Sequence, residues 1–167
     1  MAAALVLSAC GGGATPARTY VQALCNAATT WQGKVQQGAT QLGTELTGNP
    51  SPAHGKQVFG QFLDGVIRST DEMIGRVKAA GTPDVKDGKE AADKVVGTLE
   101  QVRAAFQSAR AQVDKLPTGD QQAFQQGANQ IGSTITSSLS DVQNPFKSSP
   151  QLTAVFNDEP ACTSLRG

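Results

Sequence analysis

What most constrains this chain is a helical apolar period that runs almost its whole length and breaks only where Gly and Pro cluster. Tyr20, Leu24, Ala28, Trp31, Val35, Leu42 and Leu46 recur at three- and four-residue steps, with Gly38 and Ala39 in the gap. They share one face of a helix over about residues 17–46, and Pro16 suits its start. Gly48-Asn49-Pro50-Ser51-Pro52 ends it, and Phe59, Phe62, Leu63, Val66, Met73, Ile74 and Val77 form a second stripe. Gly81-Thr82-Pro83 is the next break. A third stripe runs from Val85 through Ala92, Val95, Val96, Leu99, Val102, Phe106 and Val113 to Leu116, closed by Pro117. Thr118 or Asp120 can cap a fourth helix carrying Phe124, Ile131, Ile135, Leu139 and Val142 inward, ended by Asn144-Pro145. A short helix over about residues 150–157 would lay Leu152 and Phe156 across one end.

Helices of roughly 24 to 30 residues joined by short connections favour antiparallel neighbours. The fold expected is therefore all-α, an up-down-up-down four-helix bundle with a short C-terminal helix and tail stapled by a disulfide. Of the 167 residues, residues 17–167 are assigned to this one domain. Aromatic residues make up only 5% of the chain, and Gly33, Gly38, Gly43, Gly60, Gly65, Gly75, Gly97, Gly127 and Gly132 fall inside the expected helices. Each costs roughly 1 kcal/mol relative to Ala in a helix interior. They read as small residues tolerated in close-packed helices, or else as a shallow ligand groove.

The N-terminal segment carries a different signal. Leu7-Ser8-Ala9-Cys10, after an apolar run and before Gly11-Gly12-Gly13, resembles a bacterial lipobox. Residues 2–9 are far short of the ~20 needed to span a bilayer, but a short apolar run ending in small residues fits an export signal. No basic residue stands between Met1 and Cys10, a departure from such signals. The resemblance implies that residues 1–9 are a signal peptide remnant, that Cys10 is lipidated, and that residues 10–16 tether the domain to the outer face of the cell membrane. A cysteine early in the first helix with Trp31 downstream, and Pro160-Ala161-Cys162-Thr163-Ser164-Leu165 at the other end, are similar to small actinobacterial lipoproteins with no assigned activity.

Acylation of Cys10 would leave Cys25 and Cys162 as an even pair, expected to form a disulfide in an oxidising compartment. The alternative is two separate buried thiols. With the last helix returning to the starting end of the bundle, the tail can reach Cys25. Two distant cysteines and the single His54, placed in the loop Pro52-Ala53-His54-Gly55, give no metal-ligand spacing.

Fourteen basic and fourteen acidic side chains cancel, which removes the electrostatic case for a nucleic-acid partner. Their distribution is uneven. Residues 64–115 hold nine of each sign, with Asp64/Arg68, Glu72/Arg76 and Glu90/Lys94 at i,i+4 spacing. Residues 121–140 hold none, and residues 19–44 only Lys34. With the first and fourth helices as neighbours, Gln22, Asn26, Gln32, Gln36, Gln125, Asn129 and Gln130 would present a neutral polar face, either an ordinary polar surface or one turned toward a glycan or an envelope protein.

No Ser or Cys nucleophile stands in a catalytic motif. The adjacent pairs Asp71-Glu72 and Asp158-Glu159 read as solvated surface, and Tyr20 and Trp31 as core. Catalytic residues, cofactors and metals are therefore expected to be none. The expected function is a lipid-anchored, non-enzymatic envelope protein acting as an interaction or structural module, held to the membrane through acylated Cys10. The alternative is a lipoprotein that takes up a small molecule, lipid or glycan fragment. A cavity within the bundle would favour that alternative.

Overall fold

The computed structural model describes residues 14–48, 50–139 and 149–166. Cys10, Val142 and Asn144-Pro145, with the expectations attached to them, lie outside the described residues. The elements are α1 (Ala17–Glu45), α2 (Pro52–Ala79), α3 (Gly88–Val113), α4 (Gln121–Leu139), α5 (Pro150–Asp158) and a C-terminal 3₁₀ helix (Pro160–Leu165). The fold is an all-α bundle, and no strand occurs among the described residues.

Local chemistry explains the boundaries. α2 begins with Pro52 in its first turn, and Ser51 caps it by accepting a hydrogen bond from His54 N–H. His54 therefore lies in the first turn of a helix, not in the loop expected, and pairs with Glu45 at 3.4 Å. Asp120 caps α4, its Oδ1 accepting from Ala123 N–H at 2.9 Å. Ser149 caps α5. The α2–α3 connection turns on Gly81 at φ 79°, a left-handed conformation open to Gly at little cost.

Thr15 is built into that connection. Its N–H donates to Thr82 O, its Oγ1 to Ala80 O, and its own carbonyl accepts from Asp84 N–H, each at 2.7 Å. The C-terminal end of the stretch read as a tether is thus fixed to the bundle.

The core divides along the bundle axis. At the end where α1 begins, Tyr20, Val21, Leu24 and Cys25 pack with Met73, Ile74 and Val77 of α2, Val95 and Leu99 of α3, Leu152 of α5 and Cys162. At the other end, Leu63 and Val66 of α2 pack with Val102, Phe106 and Val113 of α3 and with Phe124 and Ile131 of α4. Cys25 and Cys162 form a disulfide with a Cα–Cα distance of 5.1 Å, holding the 3₁₀ helix on α1. The helix expected near residues 150–157 is α5, and Leu152 is fully buried beneath it.

One neighbour relation differs from expectation. α1 packs on α2, α2 on α3 and α3 on α4, but α1 and α4 do not form a packed pair among the described residues. The elements that pack on the free side of α1 are α5 and the 3₁₀ helix. The fourth position of the bundle is therefore shared: α4 covers the lower core and the C-terminal segment covers the upper one.

Most charge pairs also differ from the i,i+4 reading. Glu90 pairs with Lys94 at 2.7 Å as expected. Asp64 instead reaches Arg110 of α3 at 3.1 Å, and Glu72 reaches Lys34 of α1. Asp71–Arg103 and Lys78–Glu100 also cross from α2 to α3, both at 2.9 Å. The α2 charges tie helices together because the rows bordering a helix–helix contact bring opposite charges within reach across it. The interior glycines split into two groups. A Cβ at Gly38 would crowd Phe62, one at Gly60 would crowd Arg110, and one at Gly127 would crowd Leu116, whereas Gly33, Gly43, Gly65, Gly75, Gly97 and Gly132 face open space.

Candidate functional site

Sharing the fourth position leaves a space where its two halves meet. There, an apolar cavity of about 260 Å3 opens between α1, α2 and α3. Leu24, Ala28 and Trp31 line it from α1, Met73 from α2, and Val95, Leu99 and Val102 from α3. Leu139 at the end of α4, Phe156 of α5 and Leu165 of the 3₁₀ helix complete the wall. The Cys25 half of the disulfide lies against it, so the staple that holds Leu165 in place also defines one side of the cavity.

Polar groups are few. Trp31 Nε1 donates to Thr70 Oγ1 at 3.0 Å, and Thr70 Oγ1 donates to Val66 O at 2.8 Å. Thr70 is 1% exposed, so this chain of bonds satisfies a buried hydroxyl and fixes the plane of the indole. Gln32 and Thr98 are the remaining polar side chains in the lining, and no charged side chain belongs to it among the described residues. A surface of this kind can bury hydrocarbon and offers little to a charged metabolite, whose desolvation nothing would compensate.

A second depression of about 350 Å3 lies at the opposite end of the α1/α4 gap. Leu46 and Pro50 line one side, Phe124 and Ala128 the other, and Gln121, Gln125 and Asn129 its edge. A third groove, about 250 Å3, runs on the outer side of α1 and α2 over Phe62 and is mixed in character, with Lys34, Glu45 and Arg68 among its lining. Lys34 is already committed to Glu72, whose carboxyl its hydrogen bond and charge hold below the usual range.

The residues singled out in the sequence are placed as follows. Tyr20 is core, fully buried. Trp31 is half-buried and packs against both halves of the core, as expected of it, and it also forms a cavity wall. Glu159, read as solvated surface, is 4% exposed; it accepts from Ala161 N–H as the cap of the 3₁₀ helix and pairs with Arg18 at 3.3 Å. Its neighbour Asp158 is exposed, as are Asp71 and Glu72.

Gln22, Asn26, Gln32, Gln36, Gln125, Asn129 and Gln130 are all exposed, but they do not join into one face because α1 and α4 are not packed together. Gln130 lies in a depression beside Gln112 and Lys115 on the α3 side, Asn26 lies near Ser164 of the 3₁₀ helix, and Gln32 edges the apolar cavity. The placement of Leu139, Phe156 and Leu165 in the wall of one cavity escaped the sequence reading. The available signal was Leu165, an apolar residue three positions after Cys162 and therefore carried to where the disulfide puts that turn.

Among the described residues, no group of three or more His, Cys, Asp or Glu side chains is arranged to hold a metal ion. No helix of the described residues is long and apolar enough to cross a membrane. Comparison with protein-family models, with curated proteins and with solved structures finds no match to this chain.

Proposed function

We propose that this chain is a lipid-anchored, non-enzymatic protein of the extracytoplasmic face of the cell membrane, and that it binds an apolar ligand in the cavity walled by Trp31. The observation that carries the binding is the lining itself: hydrocarbon from six elements, a tethered indole and no charged side chain among the described residues. Its volume lies just below the ~300–1,000 Å3 usual for ligand sites, so it suits part of a hydrocarbon chain rather than a bulky ring system. Each methylene it removes from water contributes about 0.8 kcal/mol. The Cys25–Cys162 disulfide supports an oxidising compartment. The anchor rests on the lipobox resemblance at Cys10, where two acyl chains would hold the domain stably.

The interaction-module reading draws on Gln22 and Gln36, uncharged and exposed on α1. It leaves the cavity without a role, and the ligand-binding reading is preferred for that reason.

Trp31 is the chain's single tryptophan, so its emission reports on this cavity alone. Titration of the protein with octyl maltoside, below the micellar concentration, is expected to give a saturable blue shift, weakened in Leu99→Gln. Unchanged emission would overturn the binding reading. Intact mass spectrometry of protein from the membrane fraction tests the anchor separately: the expected chain begins at an acylated Cys10, and an unmodified Cys10 sinks it.

A further inference from the structure

The apolar cavity is one end of a longer feature. Trp31 of α1 and Leu139 of α4 both line the upper cavity, and Leu46 and Ala128 both line the lower depression. α1 runs down the bundle and α4 runs up, and between these pairs lie Val35 on α1 and Ile135 on α4, both half-buried against the lower core, whereas Leu42 lines the groove between α1 and α2. α1 has no buried residue after Ala27, although its apolar stripe continues to Leu46. That stripe and the apolar side of α4 border each other without packing as a helix pair.

Length and charge say what the seam fits. Trp31 to Leu46 is fifteen residues, about 22 Å at ~1.5 Å per residue. One acyl chain spans half of a ~30 Å bilayer core, about 15 Å. The seam can therefore take a whole chain and still reach beyond it. At its lower end the exposed amides of Gln125 and Asn129 stand at the edge, and no charged side chain lines either depression among the described residues. Neutral amides both donate and accept, which matches hydroxyl groups and leaves an ionic head without a counter-charge.

Resting on the proposed ligand-binding reading, we infer that the ligand is a single-chain amphiphile with an uncharged, hydroxyl-rich head. Its chain lies along the α1/α4 seam with the far end at Trp31, and its head meets Gln125 and Asn129.

The test is a series of alkyl maltosides from octyl to hexadecyl, each below its micellar concentration, read by Trp31 emission. Affinity is expected to rise about fourfold per added methylene across the series, because the seam is longer than any of these chains. Octyl maltoside alone binding, with no gain on lengthening, would overturn the seam while leaving the upper cavity as a site. Failure of every maltoside would sink both readings. Dodecanoate is expected to bind at least tenfold more weakly than dodecyl maltoside, and equal affinity would overturn the assignment of the head. Sedimentation showing a dimer that dodecyl maltoside does not dissociate would give the seam to a second copy of the chain and overturn the inference.

Discussion

Tyr20 offers the most direct check on how the upper core is built. Its ring is fully buried, and its hydroxyl has no hydrogen-bond partner among the described residues. Burial, with the charge of Asp93 adding to it, pushes its pKa up to about 12. An unfolded tyrosine ionises near 10. Between those values the folded chain keeps the proton and the unfolded chain loses it. The unfolded state then binds fewer protons, and stability falls as pH rises. Tyr20's contribution is complete below about pH 10 and lost through about pH 12, at about 1.4 kcal/mol per pH unit and about 2.7 kcal/mol in all. Tyr20→Phe keeps the ring and removes the ionisation. It is expected to raise stability at neutral pH by about 1 kcal/mol, because an unpaired buried hydroxyl is unfavourable. The gap between variant and wild type should widen by about 2 kcal/mol at about pH 11.5. Denaturant melts at the two pH values measure it, and subtracting one protein from the other cancels lysine deprotonation. Tyr20 is also the chain's single tyrosine, so near-ultraviolet tyrosinate absorbance belongs to it alone. Ionisation near pH 10 with native circular dichroism intact would refute the reasoning.

Two further outcomes follow from the packing. Gly88→Ala would drive a Cβ into the Pro83 carbonyl oxygen at the start of α3, whereas Gly75→Ala enters open space. Thermal melts should show the first destabilised by about 1 to 3 kcal/mol and the second stabilised by up to about 1 kcal/mol; an equal effect of the two would contradict the α2–α3 turn. The disulfide closes a separation of 137 residues, for which the chain-entropy model gives about 5 kcal/mol. Cys25→Ala with Cys162→Ala should lower the melting temperature sharply and expose α5 to proteolysis before α2, and equal protection of the two helices would show that the staple does not hold the C-terminal segment.

The helices were legible in the sequence because each carries its own apolar period and its own stop. α2 shows where that legibility ends. Pro52 and Gly55 look like loop residues, yet Ser51 supplies the cap, Pro52 fits the first turn, and Gly55 is required where the Phe124 ring of α4 crosses within 2.7 Å of where a Cβ would stand. A Gly that serves a long-range contact cannot be told from a breaker by local reading. The same holds for Glu159. Its side chain is buried because the 3₁₀ helix beyond it needs a cap and Arg18 lies within reach, and both facts belong to the tertiary arrangement.

The site was less legible because it arises from a competition between elements. α1 presents one apolar stripe over its full length, and two elements are available to cover it. The disulfide commits its upper half to the C-terminal segment, and α4 commits its own buried residues, Phe124 and Ile131, to the lower core with α3. The stripe from Trp31 onward is then left half-covered. Periodicity marks Trp31, Val35, Leu42 and Leu46 as inward-facing, and all four are half-buried, but it carries no information about whether a fourth helix closes over them. The charge pattern held the complementary half of the answer. Both depressions along the unclosed seam are free of charged lining among the described residues, so the shortage of charge on α1 and α4 that suggested a polar face instead borders an apolar groove. Read together, the uncovered stripe and the uncharged border describe one amphiphile-shaped surface, and the chain-length series tests whether they act as one.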